Sequence, residues 1–162
     1  MISAIVAVDN DWGIGFNGEL LEHIPEDLKF FKKLTTDNVV IMGSKTWYSL
    51  PRKPLPNRDN IVIIETENPY IENNALFCNL EYLIDHLDEN HNWFVIGGGS
   101  IYKQLLPYCD RVYVTKIYKT HENIDTYFPN LDELKDWHEK ECGDLESHNG
   151  IDFQFLTYEK NS

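Results

Sequence analysis

No stretch of this 162-residue chain approaches the roughly 20 consecutive apolar residues that a membrane-spanning helix needs. Cysteine is scarce as well: Cys78, Cys109 and Cys142 are odd in number and far apart, which excludes a disulfide framework and makes a reducing cytoplasm the expected setting. Basic residues are few, 14 Lys and Arg against 27 Asp and Glu, and a formal charge of −13 argues against a nucleic-acid partner. No Pro/Gly/Ser-rich linker, internal repeat or low-complexity tract divides the sequence, so one domain over 1–162 is expected. Met1 to Val8 is apolar but short, with Asp9 directly after it and no basic segment before it, and it reads as a first strand and not as a signal peptide.

What is present starts with a core: 42% apolar and 13% aromatic residues suit a globular fold of this length. The most informative segment is Trp93-Phe94-Val95-Ile96-Gly97-Gly98-Gly99-Ser100, a short apolar run and then three glycines before a helical pattern through Ile101 and Leu105 that Pro107 stops. Three glycines leave no side chain over a helix start, so a ligand phosphate can approach backbone N–H groups there; the alternative is a plain tight turn with unusual dihedrals. A second feature is the charge distribution. Residues 29–58 hold Lys29, Lys32, Lys33, Lys45, Arg52, Lys53 and Arg58 against the single acid Asp37. A cationic window on an acidic chain suggests a site for small anions, unless it is only a solvated face.

Strands are expected at 2–8, 38–43, 60–64, 93–96, 112–118 and 153–158, the last preceded by an Asn149-Gly150 turn signal. Helices are expected from Pro25 through Leu34, from a Ser44 N-cap through Trp47, and over Leu80–Leu87. Asp9 to Ile24 reads as a long loop, and loops of that length usually do something. This alternation implies an α/β sheet, mostly parallel, with a late antiparallel hairpin. Gly13-Ile14-Gly15-Phe16-Asn17-Gly18 spells G-x-G-x-x-G, but the helix it should open does not begin before about Pro25, so the segment reads as a mobile loop beside a ligand. Asp27 stands out with Leu28 and Phe31, which are expected to face inward; a carboxylate on that face is costly unless something satisfies it, and otherwise it is an ordinary first-turn acid. His138 and Cys142 are spaced i, i+4 in a stretch read as a solvated helix end; no second pair completes a metal site.

Taken in order, the segments resemble dihydrofolate reductase over nearly the whole chain. They are Met1-Ile2-Ser3-Ala4-Ile5-Val6-Ala7, Ile14-Gly15, Ile24-Pro25-Glu26-Asp27-Leu28-Lys29, Val40-Ile41-Met42-Gly43-Ser44-Lys45-Thr46-Trp47, Pro54-Leu55-Pro56-Asn57-Arg58-Asp59-Asn60, Val95-Ile96-Gly97-Gly98-Gly99-Ser100-Ile101-Tyr102, Val114-Thr115 and Asp125-Thr126-Tyr127-Phe128-Pro129. The resemblance implies a three-layer fold with a mixed, mostly parallel eight-stranded sheet, about four flanking helices and an antiparallel C-terminal hairpin. It implies NADPH-dependent reduction of 7,8-dihydrofolate by hydride transfer to C6 and protonation at N5, serving one-carbon and thymidylate metabolism. The partners implied are dihydrofolate and antifolate inhibitors, for a cytoplasmic monomer.

The implied roles fall on named positions. Asp27 pairs with the 2-amino and ring N–H groups of the pterin, supported by Thr115. Ile5, Ala7, Leu28, Phe31, Leu50, Leu55, Ile96 and Tyr102 wall the substrate cleft, and Arg58, with Arg52 nearby, takes the carboxylate of the folate tail. Gly15 to Leu20 closes over the nicotinamide, against Ala7 and Ile14. Gly43, Ser44, Lys45, Thr46, Ile64, Glu65, Gly97, Gly98, Gly99, Ser100, Ile101, Tyr102 and Thr126 bind the cofactor, and a cis peptide is implied between Gly97 and Gly98. The same fold also carries pterin and pyrimidine reductases, and a ligand-binding relative without turnover is a further alternative; Asp27 and Arg58 favour folate.

Two positions depart from the family pattern. Glu22 stands where a tryptophan is usual, at the expected mouth of the pterin pocket. There it either interacts with Asp27 as a second catalytic carboxylate, with one of the pair titrating high, or turns outward to solvent. Around the expected 2′-phosphate site, Ser44 and Ser100 replace common basic residues and Glu65 is acidic, which implies a reduced preference for NADPH over NADH.

Overall fold

A computed structural model describes residues 1–162. Strand β1 (Ile2–Val8) is a mostly apolar run, with β-branched Ile2, Ile5, Val6 and Val8, that is buried on both faces of a sheet. The order continues with β2 (Gly13–Phe16), β3 (Glu19–Leu20), α1 (Pro25–Thr35), β4 (Val39–Gly43), α2 (Ser44–Ser49), β5 (Asp59–Ile63), β6 (Tyr70–Glu72), β7 (Ala75–Cys78) and α3 (Leu80–His86). The second half runs β8 (Trp93–Gly97), α4 (Gly99–Leu105), β9 (Arg111–Ile117), β10 (Thr126–Tyr127), β11 (Trp137–Cys142), β12 (Glu146–His148) and β13 (Ile151–Lys160), with short 3₁₀ turns at Leu106–Tyr108 and Leu131–Glu133.

The main sheet runs β11-β13-β9-β1-β8-β4-β5-β7-β6, with β12 on β13. Its centre, β9-β1-β8-β4-β5-β7, is parallel throughout, while β13 pairs antiparallel with β9, β11 and β12. Side chains alternate across it. Ala4, Val6, Val8, Val39 and Ile41 join one core with Leu83 of α3 and Ile101 and Leu105 of α4; Ile5, Val40 and Met42 join another with Trp47 of α2 and Phe30, Phe31 and Leu34 of α1. Helices on both faces of a mixed sheet give the expected three layers. The main sheet has ten strands, because three-residue β6 and β12 extend it on Asn73-Asn74 and Asn149-Gly150 turns, both residues of each having positive φ. Strands of three residues carry too little alternation to read from sequence.

Three expectations need correction. The segment Asp9–Ile24 is not all loop: Asn17 (φ 51) and Gly18 (φ 78) turn β2 back on β3, and β10 completes a three-stranded sheet. Residues 137–142 form strand β11 on β13, so His138 and Cys142 do not lie on a helix. Ser44 is not an N-cap; Gly43 occupies that position with extended backbone, and no side chain caps α2.

Candidate active site

The parallel strands β1, β4 and β8 end on one side of the sheet. Between β1 and β4 the chain's connections diverge, since β8 returns to fill the gap. Ligands of open α/β sheets bind at such a crevice, beyond the carboxyl ends of the strands.

Asp27 enters from the first turn of α1, set by Pro25 and with Glu26 beside it. The Thr115 hydroxyl, buried on β9, donates to Asp27 Oδ1 at 2.5 Å. No protein group donates to Oδ2. Burial pushes the Asp27 carboxyl above its ordinary value, and the Thr115 hydrogen bond opposes that only in part. Thr115 lies opposite Ala7 in the β1–β9 register, which brings the ends of both strands to the carboxylate. Ile5, Phe31, Leu50, Leu55 and Ile96 pack into the apolar cluster beside it, as expected. The expectation that Leu28 faces inward is corrected: it is 54% exposed and packs into none of the cores. The Tyr102 hydroxyl is internal, donating to the Ile5 carbonyl at 2.7 Å, so its polar atom is used within the protein.

Arg58 is held in place from its own side of the cleft. Its Nε donates to the Pro56 carbonyl at 2.9 Å and its Nη1 to Thr35 Oγ1 at 3.0 Å, while Thr35 donates to the Phe31 carbonyl. The guanidinium carbon lies 5.8 Å from the Phe31 ring centre, a cation–π arrangement. No carboxylate lies within 4.0 Å of it, and desolvation lowers its pKa. A partly buried, oriented and unpaired guanidinium suits a ligand carboxylate. Arg52 is exposed in the preceding loop and makes no hydrogen bond or ion pair within the protein.

The cofactor side is built from two glycine turns. Gly43 ends β4 and N-caps α2; Gly98 follows β8 and N-caps α4; neither helix has a side-chain cap. By contrast Asn79 caps α3, which follows parallel strand β7. The Gly97–Gly98 peptide is cis, as the resemblance implied. A Cβ on Gly43 would stand 2.9 Å from Ile101, and one on Gly99 only 2.5 Å from Thr126 Cγ2, so close packing requires glycine at both places. These uncapped first-turn N–H groups, with Thr46 half-buried next to Gly97 and Gly98, fit a pyrophosphate. Lys45 and Ser100 are exposed at the same edge, and Ser100 Oγ accepts from Gln104. Ile64 lies half-buried just beyond β5, followed by exposed Glu65.

Glu22 departs most from expectation. Its Oε1 accepts from Lys119 Nζ at 2.6 Å and lies 3.0 Å from His121 Nε2. Those partners hold its pKa below the usual carboxylate range, the Lys119 hydrogen bond contributing most. Glu22 is thus bonded to two basic side chains, while Asp27 is bonded to Thr115 and the two carboxylates share no partner. The expected pair of coupled carboxylates is therefore absent, and a Glu22 held ionised is no proton donor.

Sequence reading missed the groups around Glu22. Asp9, whose side chain is 0% exposed, accepts at Oδ1 from the Gly13 and Asp11 N–H groups and at Oδ2 from the His121 N–H, with His121 Nδ1 3.0 Å from Oδ2. The β2–β3 hairpin sits above this group. Ala7, Asp9, Gly13, Ile14, Leu20, Leu21, Glu22 and Ile117 enclose a cavity of ≈ 10 Å³, about the room one water needs. The far end of the hairpin is tied by the Asp125 N–H to the Gly15 carbonyl and the Asn17 N–H to Asp125.

Comparison with known proteins agrees with this geometry. The family described as "Dihydrofolate reductase" matches residues 1–160. The dihydrofolate reductase of Bacillus subtilis (strain 168) is 40% identical over 164 residues, covering 100% of this chain and 96% of that protein. That of Sus scrofa is 35% identical over 184 residues, covering 99% and 98%. A solved structure, dihydrofolate reductase from Enterococcus faecalis complexed with NADP(H) and RAB-propyl, is 34% identical with a TM-score of 0.85, covering 100% of this chain and 97% of that one. A half-buried acid under a strand threonine, an oriented and unpaired arginine and two uncapped glycine turns thus occur on the fold of these relatives, and the chain belongs to the dihydrofolate reductase family.

Proposed function

We propose that the cleft reduces 7,8-dihydrofolate to 5,6,7,8-tetrahydrofolate, with Asp27 holding the pterin and Arg58 the carboxylate of the folate tail. The observation that carries this reading is Asp27 itself, a carboxylate in an apolar cleft with one protein donor on Oδ1 and none on Oδ2. Such a group is expensive until a ligand meets it, and a flat heterocycle presenting two adjacent N–H groups meets it well. Arg58 selects a ligand that also ends in a carboxylate, which separates folates from tail-less pterins and pyrimidines.

NADPH, for which the glycine turns at Gly43 and Gly97 to Gly99 are suited, supplies the hydride for pterin C6 when bound. The protein's own part is alignment. Asp27 fixes the pterin in its plane, and Thr115 is a positioning residue that fixes Asp27. Ile5, Phe31, Leu50, Leu55 and Ile96 give the ring apolar walls, and the β2–β3 hairpin excludes water above Ala7. With Glu22 held away, the proton for N5 comes from water at the cleft, not from a second carboxylate. The chain acts as one domain and as a monomer, and the cytoplasm is its proposed location; no helix is long and apolar enough to cross a membrane.

The test is direct. Mixed with dihydrofolate and NADPH, the protein should oxidise the cofactor, followed by nicotinamide absorbance, only when both are present. Reduction of a tail-less pterin or pyrimidine at equal kcat/KM, or no turnover of dihydrofolate, would overturn the assignment.

A further inference from the structure

The hairpin that covers Ala7 is fastened by charge. Both ring nitrogens of His121 face carboxylate oxygens at 3.0 Å, Nδ1 toward Asp9 and Nε2 toward Glu22. An ionised carboxylate only accepts hydrogen bonds, so both contacts are hydrogen bonds at once only when both nitrogens carry protons. Asp9 is fixed by backbone N–H groups at the end of β1, whereas Glu22 belongs to the hairpin's return path. A cationic His121 therefore bridges the immobile sheet and the lid. When His121 is neutral, one bridge becomes a contact between two lone pairs, and the side that yields is the less anchored Glu22.

We propose that His121 and Glu22 are positioning residues for hydride transfer: the chain Asp9–His121–Glu22–Lys119 latches the lid at residues 13–22 onto the segment after β9, and the latch holds when His121 is charged and loosens when it is neutral. The proposal rests on the reading that this hairpin covers the nicotinamide.

The groups around the imidazole are mostly acidic. Facing or flanking His121 are Asp9 and Asp11 from the turn after β1, Glu22 and Glu19 from the hairpin, and Glu122 from its own segment, against Lys119 on Glu22 and Lys116 near Asp9. Both bridging carboxylates are held below their ordinary range, Asp9 by hydrogen bonds that together outweigh its burial and Glu22 first by Lys119. They stay ionised throughout the window in which a histidine titrates, roughly pH 5 to 8. The sign follows: the latch is complete on the acid side of the His121 titration and is lost as pH rises through it. Lys119 remains on Glu22 at high pH, but that half-exposed pair holds less.

The experiment uses the full chain, as wild type, His121→Gln and Glu22→Gln. In the ligand-free protein, relaxation-dispersion NMR on the Gly15, Gly18 and Leu20 amides reads lid motion across that window, and the imidazole nitrogens report the charge of His121. Stopped-flow displacement of NADPH reads its release. In wild type, lid opening and NADPH release should both quicken about tenfold as His121 loses its proton, the scale of one hydrogen bond to a charged group. His121→Gln should sit near the high-pH rates at every pH, and Glu22→Gln should show faster opening with a flattened profile; unchanged amide spectra elsewhere show that both fold. Lid motion in wild type that ignores the His121 titration, or a pH dependence that survives in His121→Gln, would overturn the latch. Lid motion that follows His121 while NADPH release does not would support the latch and overturn the reading that the hairpin covers the nicotinamide.

Discussion

Replacing Asp27 with asparagine tests the centre of the site at almost no steric cost. In Asp27→Asn the side-chain amide oxygen can still accept from Thr115, so the 2.5 Å contact that locks the side chain is kept while the charge is lost. A hydrogen bond to a charged partner contributes about 1.5–3 kcal/mol, and the pterin offers two N–H groups. The loss is then roughly 3–6 kcal/mol, or about 150-fold to 25,000-fold in kcat/KM for dihydrofolate at neutral pH. The new amide N–H₂ opposes the pterin donors, which argues against a loss below that range. NADPH binding should be unchanged, because its glycine turns lie on β4 and β8. Stability provides the control. Burial raises the folded-state pKa of Asp27, so the folded protein binds more protons than the unfolded chain between the ordinary and the raised value, and wild-type stability falls as pH rises through that window. Asp27→Asn lacks this fall and should be at least as stable as wild type at neutral pH, by denaturant titration. A variant with kcat/KM within a few-fold of wild type at pH 7, or one that is inactive only because it is less stable, would refute the reasoning.

Arg58→Leu should raise KM for dihydrofolate strongly with little change in kcat, since a tail carboxylate is bound alike in ground and transition states, and should spare a pterin without a tail; equal losses on both would make Arg58 structural. Glu65→Arg should tighten NADPH binding and leave NADH nearly unchanged, measured as dissociation constants, because an exposed acid just past β5 is expected near the 2′-phosphate; a parallel change in both would place it elsewhere. Gly99→Ala puts a methyl 2.5 Å from Thr126 Cγ2 and should displace β10, weakening NADPH binding about tenfold. Adding Thr126→Ala removes the clashing methyl and should restore binding; no recovery would mean that Gly99 is needed for backbone freedom and not for space.

Much of the fold was readable because its signals are local. The apolar runs at Ile2–Val8, Val39–Gly43 and Trp93–Gly97 lie in the buried parallel centre of the sheet, where both faces demand hydrophobic residues. Pro25 placed the start of α1, and the Asn149-Gly150 pair marked the turn into β13. What escaped was short or one-sided. The hairpin strands β2 and β3 have four and two residues and owe their pairing to Asn17-Gly18 and to β10, more than 100 residues away. Strand β11 is exposed along most of its length, so Trp137–Cys142 shows no alternation, and its charged residues imitate a solvated helix.

The site divides in the same way. Asp27 and the glycine triplet drew notice because each breaks a local rule, an acid amid leucine and phenylalanine and three glycines where a turn needs fewer, whereas Arg58 was one of seven cations in a window until the resemblance singled it out. Asp9, Lys119 and His121 break none. Asp9 reads as the polar end of a strand, and His121 as one of six histidines without a motif. Their roles exist only across sequence separations of 97 to 112 residues, where no periodicity reaches. The one available clue was Glu22, an acid where the family places an indole. An indole at a cleft mouth is satisfied by packing and a single acceptor, but a carboxylate 18% exposed needs cations or donors close by. Sequence reasoning looked for that partner at Asp27, five residues away, and so found a second acid. The physically consistent search was for cations, and the segment after β9 supplies Lys119 and, when protonated, His121. The residue at position 22 is thus intelligible only with the groups opposite it, Lys119 and His121, which meet its carboxylate directly.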